Sequence, residues 1–340
     1  MRQAELALRI NMSEKALSQI ITGTVPLTRA TAAKLEMVTG IPARTWNSLE
    51  SLYQDDRERV ERAKEFEARS DFLAEMPVRQ LRALGLLTAA PRDKGGLLRE
   101  LLEFFAVSDP DAWRRLWLGP QAVALKQSRA YTVDPAAVAA WLRIGELEAD
   151  TLEVGTFDAS RLRATLPRLR ELTREDDPEI FADQLVSLVA ECGVALVFVP
   201  EVSGARCSGA TRWVHGRPVV QLSLRFGTDD QLWFAVFHEL AHVLLHGKRD
   251  VFIRDGQTDH DAQGSKEAEA DLFARDLLVP PRYHRELAAL LSLDAISKFA
   301  ERIGVSAGIV VGRLQRDGRL KHPTGDSLKL RFTLGESSEA

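Results

Sequence analysis

Apolar residues in this chain recur mostly at helical spacing, with two short continuous runs near the middle as the exception. At the amino terminus ELALRI has the pattern of a short amphipathic helix, Asn11 to Ser13 form a turn, and SEKALSQIITG gives a second helix. Ser13 is its expected N-cap, Leu17, Ile20 and Ile21 face inward, and Gly23 ends it. A third helix follows over residues 29–39, ending at Gly40, and residues 42–46 lead into a fourth. Residues 52–72 are charge-rich and read as a solvated connecting helix. LLRELLEFFAV, DAWRRLWL and PAAVAAWLRIGELEA are amphipathic segments separated by prolines, a helical middle layer in which Trp113, Trp117 and Trp141 read as core rather than as the lining of a groove.

The pattern changes near residue 152. Helices are expected around residues 160–173 and 178–192, followed by GVALVFVPE and PVVQLSL as strands. The first is almost continuously apolar, which places it centrally in a sheet. SGATRWVHG between them reads as strand and turn. An extended peptide can pair with an edge strand through backbone hydrogen bonds, and that role is expected of Gly209, Ala210, Thr211, Arg212 and Trp213. After residue 281, AISKFAERIGVSAGIVVGRLQRDGRL again has helix-turn-helix spacing. No cluster of base-reading residues accompanies it, so a structural role is expected. SLKLRFTL reads as a late strand and GESSEA as a frayed tail.

Candidate chemistry concentrates in FAVFHELAHVLLHG, residues 234–247, where His238, Glu239 and His242 form HExxH within an apolar helix. Four residues bring a helix back to the same face, so the two imidazoles can share one metal ion. Buried charge needs a partner, and a metal supplies one. Glu239, next to them and not a ligand, is placed to take a proton from water. Thr228, Asp229 or Asp230 can cap the start of this helix, and Gly247 its end. His246 continues the face one turn on and reads as a pocket-edge or hydrogen-bonding residue. SKEAEADLFARDLLVPP, residues 265–281, is a second helix with Ala270, Phe273, Ala274 and Leu277 inward. There Glu267 is the expected third ligand and Asp271, one turn later, is expected to orient a ligand histidine through its free ring nitrogen. Glu269 lies about 200° around the helix from Glu267 and should face solvent. Asp255, Asp259, His260 and Asp261 are weaker ligand candidates. Arg225, Tyr283 and His284 are unranked candidates for stabilising an oxyanion.

FHELAHVLLHG and KEAEADLFARDLLVP, preceded by SGATRWVHGRPVVQLSLR, resemble the ImmA/IrrE family of bacterial zinc metallopeptidases, which are implicated in cleaving repressor proteins. The resemblance implies a zincin-like α+β domain with one Zn2+ per chain, His238, His242 and Glu267 as ligands, and Glu239 as base. The family commonly has asparagine where this chain has Asp271, and aspartate can accept the same hydrogen bond. The stretch SQIITGTVPLTRATAAKLEMVTGIPARTWNSLESLY is similar to XRE-type helix-turn-helix regulators of the antitoxin subgroup. It implies contact with double-stranded DNA through Lys15, Ser18 and Gln19 and, as such regulators often do, dimerisation. This resemblance begins after Ala4 and omits the first helix that normally packs beneath the pair.

The expected architecture is therefore multidomain and mainly α: a helix-turn-helix over residues 1–50, a helical middle region over 51–150, and a metallopeptidase domain with a small sheet over 151–335. The net charge of -4 makes any nucleic-acid contact local rather than a property of the whole chain. Two cysteines, Cys192 and Cys207, give neither a disulfide framework nor a thiolate metal site, and with no apolar run of about 20 residues a cytoplasmic, membrane-free setting is expected. The leading expectation is a zinc endopeptidase coupled to DNA-binding regulation, acting on a repressor or toxin-like protein. The alternative is an antitoxin-like regulator whose metal domain binds or senses a partner without proteolysis.

Overall fold

The computed structural model describes residues 1–119, 133–223, 227–247, 251–255 and 265–331. It divides into two compact units, one of residues 1–72 and 89–99, the other of residues 73–88 and 100–340. Among the described residues no helix is long and apolar enough to cross a membrane.

The first unit contains α1 (Gln3–Arg9), α2 (Glu14–Ile21), α3 (Arg29–Thr39) and the long α4 (Ala43–Ala68). Ser13 caps α2 by accepting from the Ala16 N–H, and Thr28 caps α3 in the same way from Thr31. α3 ends at Gly40, whose φ of 73° lies in the left-handed region that closes helices. Ala7, Ile10, Leu17 and Leu35 form a small core, with Trp46 and Val38 against it. Ile21, expected to face inward, is 62% exposed. One turn beyond Leu17, it runs past the edge of a core this small.

In the second unit α5 (Val78–Ala83) is followed by α6 (Lys94–Phe104), whose first residues belong to the first unit, and by α7 (Pro110–Trp113), which continues as a wider coil over Arg114–Leu118. Trp113 and Trp117 are buried, each edge-on to Phe105, and Trp141 is equally buried, so the tryptophans are core. Then come α8 (Pro135–Thr151), α9 (Ala159–Glu171), α10 (Pro178–Ala190), β1 (Ala195–Val199), β2 (Cys207–Val214), β3 (Arg217–Ser223), α11 (Asp229–Leu245), β4 (Phe252–Asp255), α12 (Ser265–Leu278), α13 (His284–Leu287), α14 (Leu293–Ile303) and α15 (Ala307–Arg316). Cys192 and Cys207 are free and buried.

The four strands form one sheet in the order β1-β3-β2-β4, with β1 parallel to β3 and the other pairs antiparallel. β1 is thus an edge strand, not the central one its sequence suggested. Its apolar run reflects α8 and α10 packing against it, since side-chain apolarity reports what covers a strand rather than how many strands it pairs with. Alternation along β2 separates the two sides of the sheet. Gly209 and Thr211 point to α11, whereas Arg212 points to α8, donating to the Leu142 carbonyl at 2.6 Å. The expected late strand is reduced, among the described residues, to a single bridge between Thr228 and Arg331. The remainder of that strand and the tail lie outside the described residues.

The core of the second unit wraps α11 on nearly every side, with Leu232, Trp233, Val236, Phe237, Leu240 and Val243 all buried in it. α14 and α15 belong to this same core through Ile296, Phe299, Ile309, Val310 and Leu314, which explains their helix-turn-helix spacing structurally. The start of α11 is fixed from α15 and the C-terminal segment. Asp229 is fully buried and accepts from the Ser306 hydroxyl at 2.5 Å and from the Leu330 N–H at 3.1 Å. Gly308 and Gly312, one turn apart on α15, leave room for Asp229 and Asp230; a Cβ at Gly308 would lie 2.2 Å from Asp229 Oδ1.

Removal from water pushes the Asp229 carboxyl up to about 6, the Ser306 hydrogen bond opposing and Asp230 reinforcing the shift. The folded chain therefore binds this proton more tightly than the unfolded chain. This group's contribution is most favourable below about pH 4 and is lost as pH rises through about 6. Asp229→Asn, which keeps an acceptor for Leu330, is expected to flatten the decline in stability between those values, read as urea midpoints of the variant and wild type across pH.

Candidate metal centre

α11 places His238, Glu239 and His242 in the middle of the second unit, and all three are buried. α12 lies alongside and brings Glu267 to them. The four-residue spacing sets the imidazoles one above the other, with His238 Nε2 and His242 Nε2 3.0 Å apart. Glu267 closes the cluster, one carboxylate oxygen 3.2 Å from His238 Nε2 and the other 3.4 Å from His242 Nε2. Bonds of 2.0–2.1 Å at tetrahedral angles would set neighbouring ligand atoms about 3.3 Å apart. The cluster has that size.

Hydrogen-bond partners decide which ring nitrogens carry protons. Asp271 Oδ1 lies 2.9 Å from His238 Nδ1. An ionised carboxylate only accepts, so Nδ1 donates and Nε2 keeps a bare lone pair. Arg316, from the end of α15, reaches the other Asp271 oxygen at 3.3 Å and lies over the Phe234 ring, favouring the ionised acid. The second imidazole meets another histidine, His242 Nδ1 lying 2.9 Å from His246 Nδ1, while His246 Nε2 lies 3.3 Å from Glu269. Burial, helped by the neighbouring His242, lowers the His246 imidazole from the ordinary histidine range, with Glu269 opposing. Phe252 of β4 stacks on His242 at 3.8 Å.

Burial alone would raise the Glu267 carboxyl, but the two imidazoles beside it, His238 and His242, hold it far below the usual carboxylate range, so it is an anion that only accepts. Two imidazole nitrogens and a carboxylate oxygen therefore converge with electron pairs that repel one another unless a cation lies between them. They can hold a metal ion, and among the described residues they are the group that satisfies that geometry. Residues 197–315 match the family model of the IrrE N-terminal-like domain, Peptidase_M78. The matched stretch runs from β1 to α15, contains every residue of this cluster, and points to a metallopeptidase-type function. A search of curated proteins finds no match.

Glu239 faces the sheet. One carboxylate oxygen accepts from the Thr211 hydroxyl at 2.6 Å; the other, Oε1, is buried with no hydrogen-bond partner among the described residues. Gly209 makes the space for it, because a Cβ there would lie 2.4 Å from Oε1. Gly209 and Thr211 thus serve Glu239 rather than an edge. Over residues 209–211, β2 is paired with β3 on one side and β4 on the other, so the substrate-strand role expected of Gly209, Ala210 and Thr211 gives way, while Arg212 and Trp213 pair with β3 alone among the described residues.

The two helices that carry the converging donor atoms are both capped at their ends by one element. From α9, Arg163 donates to the Leu244 carbonyl at 3.1 Å, and Arg170 donates to the Leu277 and Leu278 carbonyls at 2.9–3.3 Å. Such cations offset the exposed carbonyls and dipoles of helix C-termini. Neither arginine stood out in the sequence, because each reaches a carbonyl 81 to 108 residues away.

Of the other expected residues, Asp255 ends β4, while Asp259, His260, Asp261 and Arg225 lie outside the described residues. Tyr283 packs edge-on against Phe299, and His284 Nε2 lies 3.3 Å from the Val279 carbonyl beyond the end of α12. Lys15, Ser18 and Gln19 sit on α2 of the first unit, Lys15 exposed and the others half-buried.

Gly209→Ala is expected to push Glu239 out of position and to cost about 1–3 kcal/mol through overpacking, while leaving the three converging donor atoms in place. A lowered thermal midpoint with unchanged metal uptake is the expected result.

Proposed function

We propose that the second unit is a zinc-dependent endopeptidase with His238, His242 and Glu267 as ligands and Glu239 as general base. The observation that carries this reading is the convergence of three lone pairs from His238, His242 and Glu267, with the adjacent Glu239 keeping a buried oxygen, Oε1, that has no hydrogen-bond partner among the described residues. A zinc ion held there would polarise a peptide carbonyl and acidify water. Glu239 Oε1 takes a proton from water as its oxygen attacks the carbonyl carbon, and Glu239 delivers that proton to the amide nitrogen as the C–N bond breaks. Thr211 holds the other oxygen of the same carboxylate, which fixes the direction Oε1 faces. Asp271 orients His238. Among the described residues β4 is the outer strand on this side of the sheet, and it carries the Phe252 that packs on His242. It is therefore the strand to which an extended substrate backbone would add.

The substrate is proposed to be a repressor or toxin-like protein, and α1 to α3 are proposed as a helix-turn-helix that binds double-stranded DNA through Lys15, Ser18 and Gln19, as a homodimer in the cytoplasm. Support for the DNA part is the pair of capped helices, α2 and α3, on a compact core, with Lys15 exposed on α2. The same observation favours a second reading, a transcriptional regulator of antitoxin type whose metal domain binds or senses a partner without cutting it.

Elemental analysis separates the metal question from the rest. About one zinc per chain is expected in the wild type, with loss in His238→Ala and Glu267→Ala; manganese or iron in its place would correct the metal, and no metal would favour the regulator. Glu239→Gln is expected to keep its zinc and its DNA binding and to lose cleavage. Full regulatory activity of that variant in cells would overturn the proteolytic reading.

A further inference from the structure

His242 is held by a partner unlike that of His238. His238 donates to a carboxylate, Asp271, whereas His242 Nδ1 faces another imidazole nitrogen, His246 Nδ1, at 2.9 Å. An imidazole is an ambiguous partner, because its Nδ1 can donate or accept. If His246 Nδ1 carried the proton, His242 would have to accept at Nδ1 and carry its own proton at Nε2, the atom that faces His238 Nε2 and Glu267.

Glu269 removes the ambiguity. Its carboxylate, 3.3 Å from His246 Nε2, only accepts, so of the two tautomers of the imidazole this geometry favours the one with its proton on Nε2 and a bare Nδ1. His242 must then donate at Nδ1 and keep the lone pair of Nε2 for the metal. We infer that His246 and Glu269 are positioning residues that set the tautomer and ring orientation of His242, as Asp271 does for His238. The inference rests on the proposed metal centre.

The surroundings suit this relay. The His246 side chain is only 3% exposed although Glu269 is 59% exposed, so the hydrogen bond between the two histidines is sheltered and only the terminal carboxylate meets water. Phe252 packs on both rings, at 3.8 Å from His242 and 5.1 Å from His246, and limits their rotation. Glu269 follows Glu267 by two residues, so α12 supplies a ligand and the end of the relay for the same imidazole.

A zinc titration of the full chain against a competing chelator tests this. His246→Leu removes the acceptor and is expected to raise Kd about 10–100-fold. His246→Asn, whose Oδ1 can stand in for Nδ1, should stay close to wild type. Glu269→Ala, a change at an exposed position that leaves the core untouched, should give a smaller loss. With 15N-labelled histidine, His242 among the seven histidines should appear as the Nδ1–H tautomer in the metal-free wild type and shift toward a mixture in Glu269→Ala. Wild-type affinity in His246→Leu, an equal loss in His246→Asn and His246→Leu, or an Nε2–H tautomer at His242 in the wild type would each overturn the relay. A wild type that takes up no zinc would instead sink the proposed metal centre, and the nitrogen spectrum would still decide the relay.

Discussion

Three electron pairs aimed at one point repel one another, and in this chain two of them belong to buried imidazoles while the third comes from a partly exposed carboxylate on the neighbouring helix. His238, His242 and Glu267 sit in that position with their donor atoms 3.0–3.4 Å apart. Keeping them there requires two helices that cannot separate and hydrogen bonds that choose the right tautomers. Much of the second unit answers one of those needs. The apolar residues of α11 hold it in the core from nearly all sides, Asp271 and His246 hold the rings from behind, and Asp229 ties the start of the helix to Ser306 and Leu330.

Glu239 has a different requirement. In its proposed role of general base it must keep one oxygen free, yet a buried free oxygen invites a side-chain partner that would use it up. Thr211 takes one oxygen and the missing side chain at Gly209 leaves the other without a neighbour, so β2 both orients the carboxylate and protects its idle lone pairs.

The parts of this arrangement visible in the sequence are those set by helix period. His238, Glu239 and His242 lie within one turn and a residue, and Glu267 and Asp271 are likewise four apart, so their shared faces follow from 100° per residue. The strand elements were less legible. Apolarity placed β1 centrally because it registers the covering helices, and the strand order depends on pairings between segments that no local pattern specifies. Gly209 and Thr211 read as a substrate edge because their true neighbour, Glu239, lies 28 to 30 residues further on. Glu269 was placed correctly in solvent, but judging its angle only against Glu267 hid its reach to His246 on the neighbouring helix. In the first unit, caps and the helix-ending Gly40 fell where local rules put them. Ile21 did not, because helix spacing carries no information about how far a small core extends.

Arg163 and Arg170, two turns apart on α9, bind the carbonyl ends of the two helices that carry the ligands. The two helices are thus tied at their carbonyl ends to a single third one, so the register of α11 against α12, which sets His238 and His242 against Glu267, is referred to α9 as well as to their direct packing.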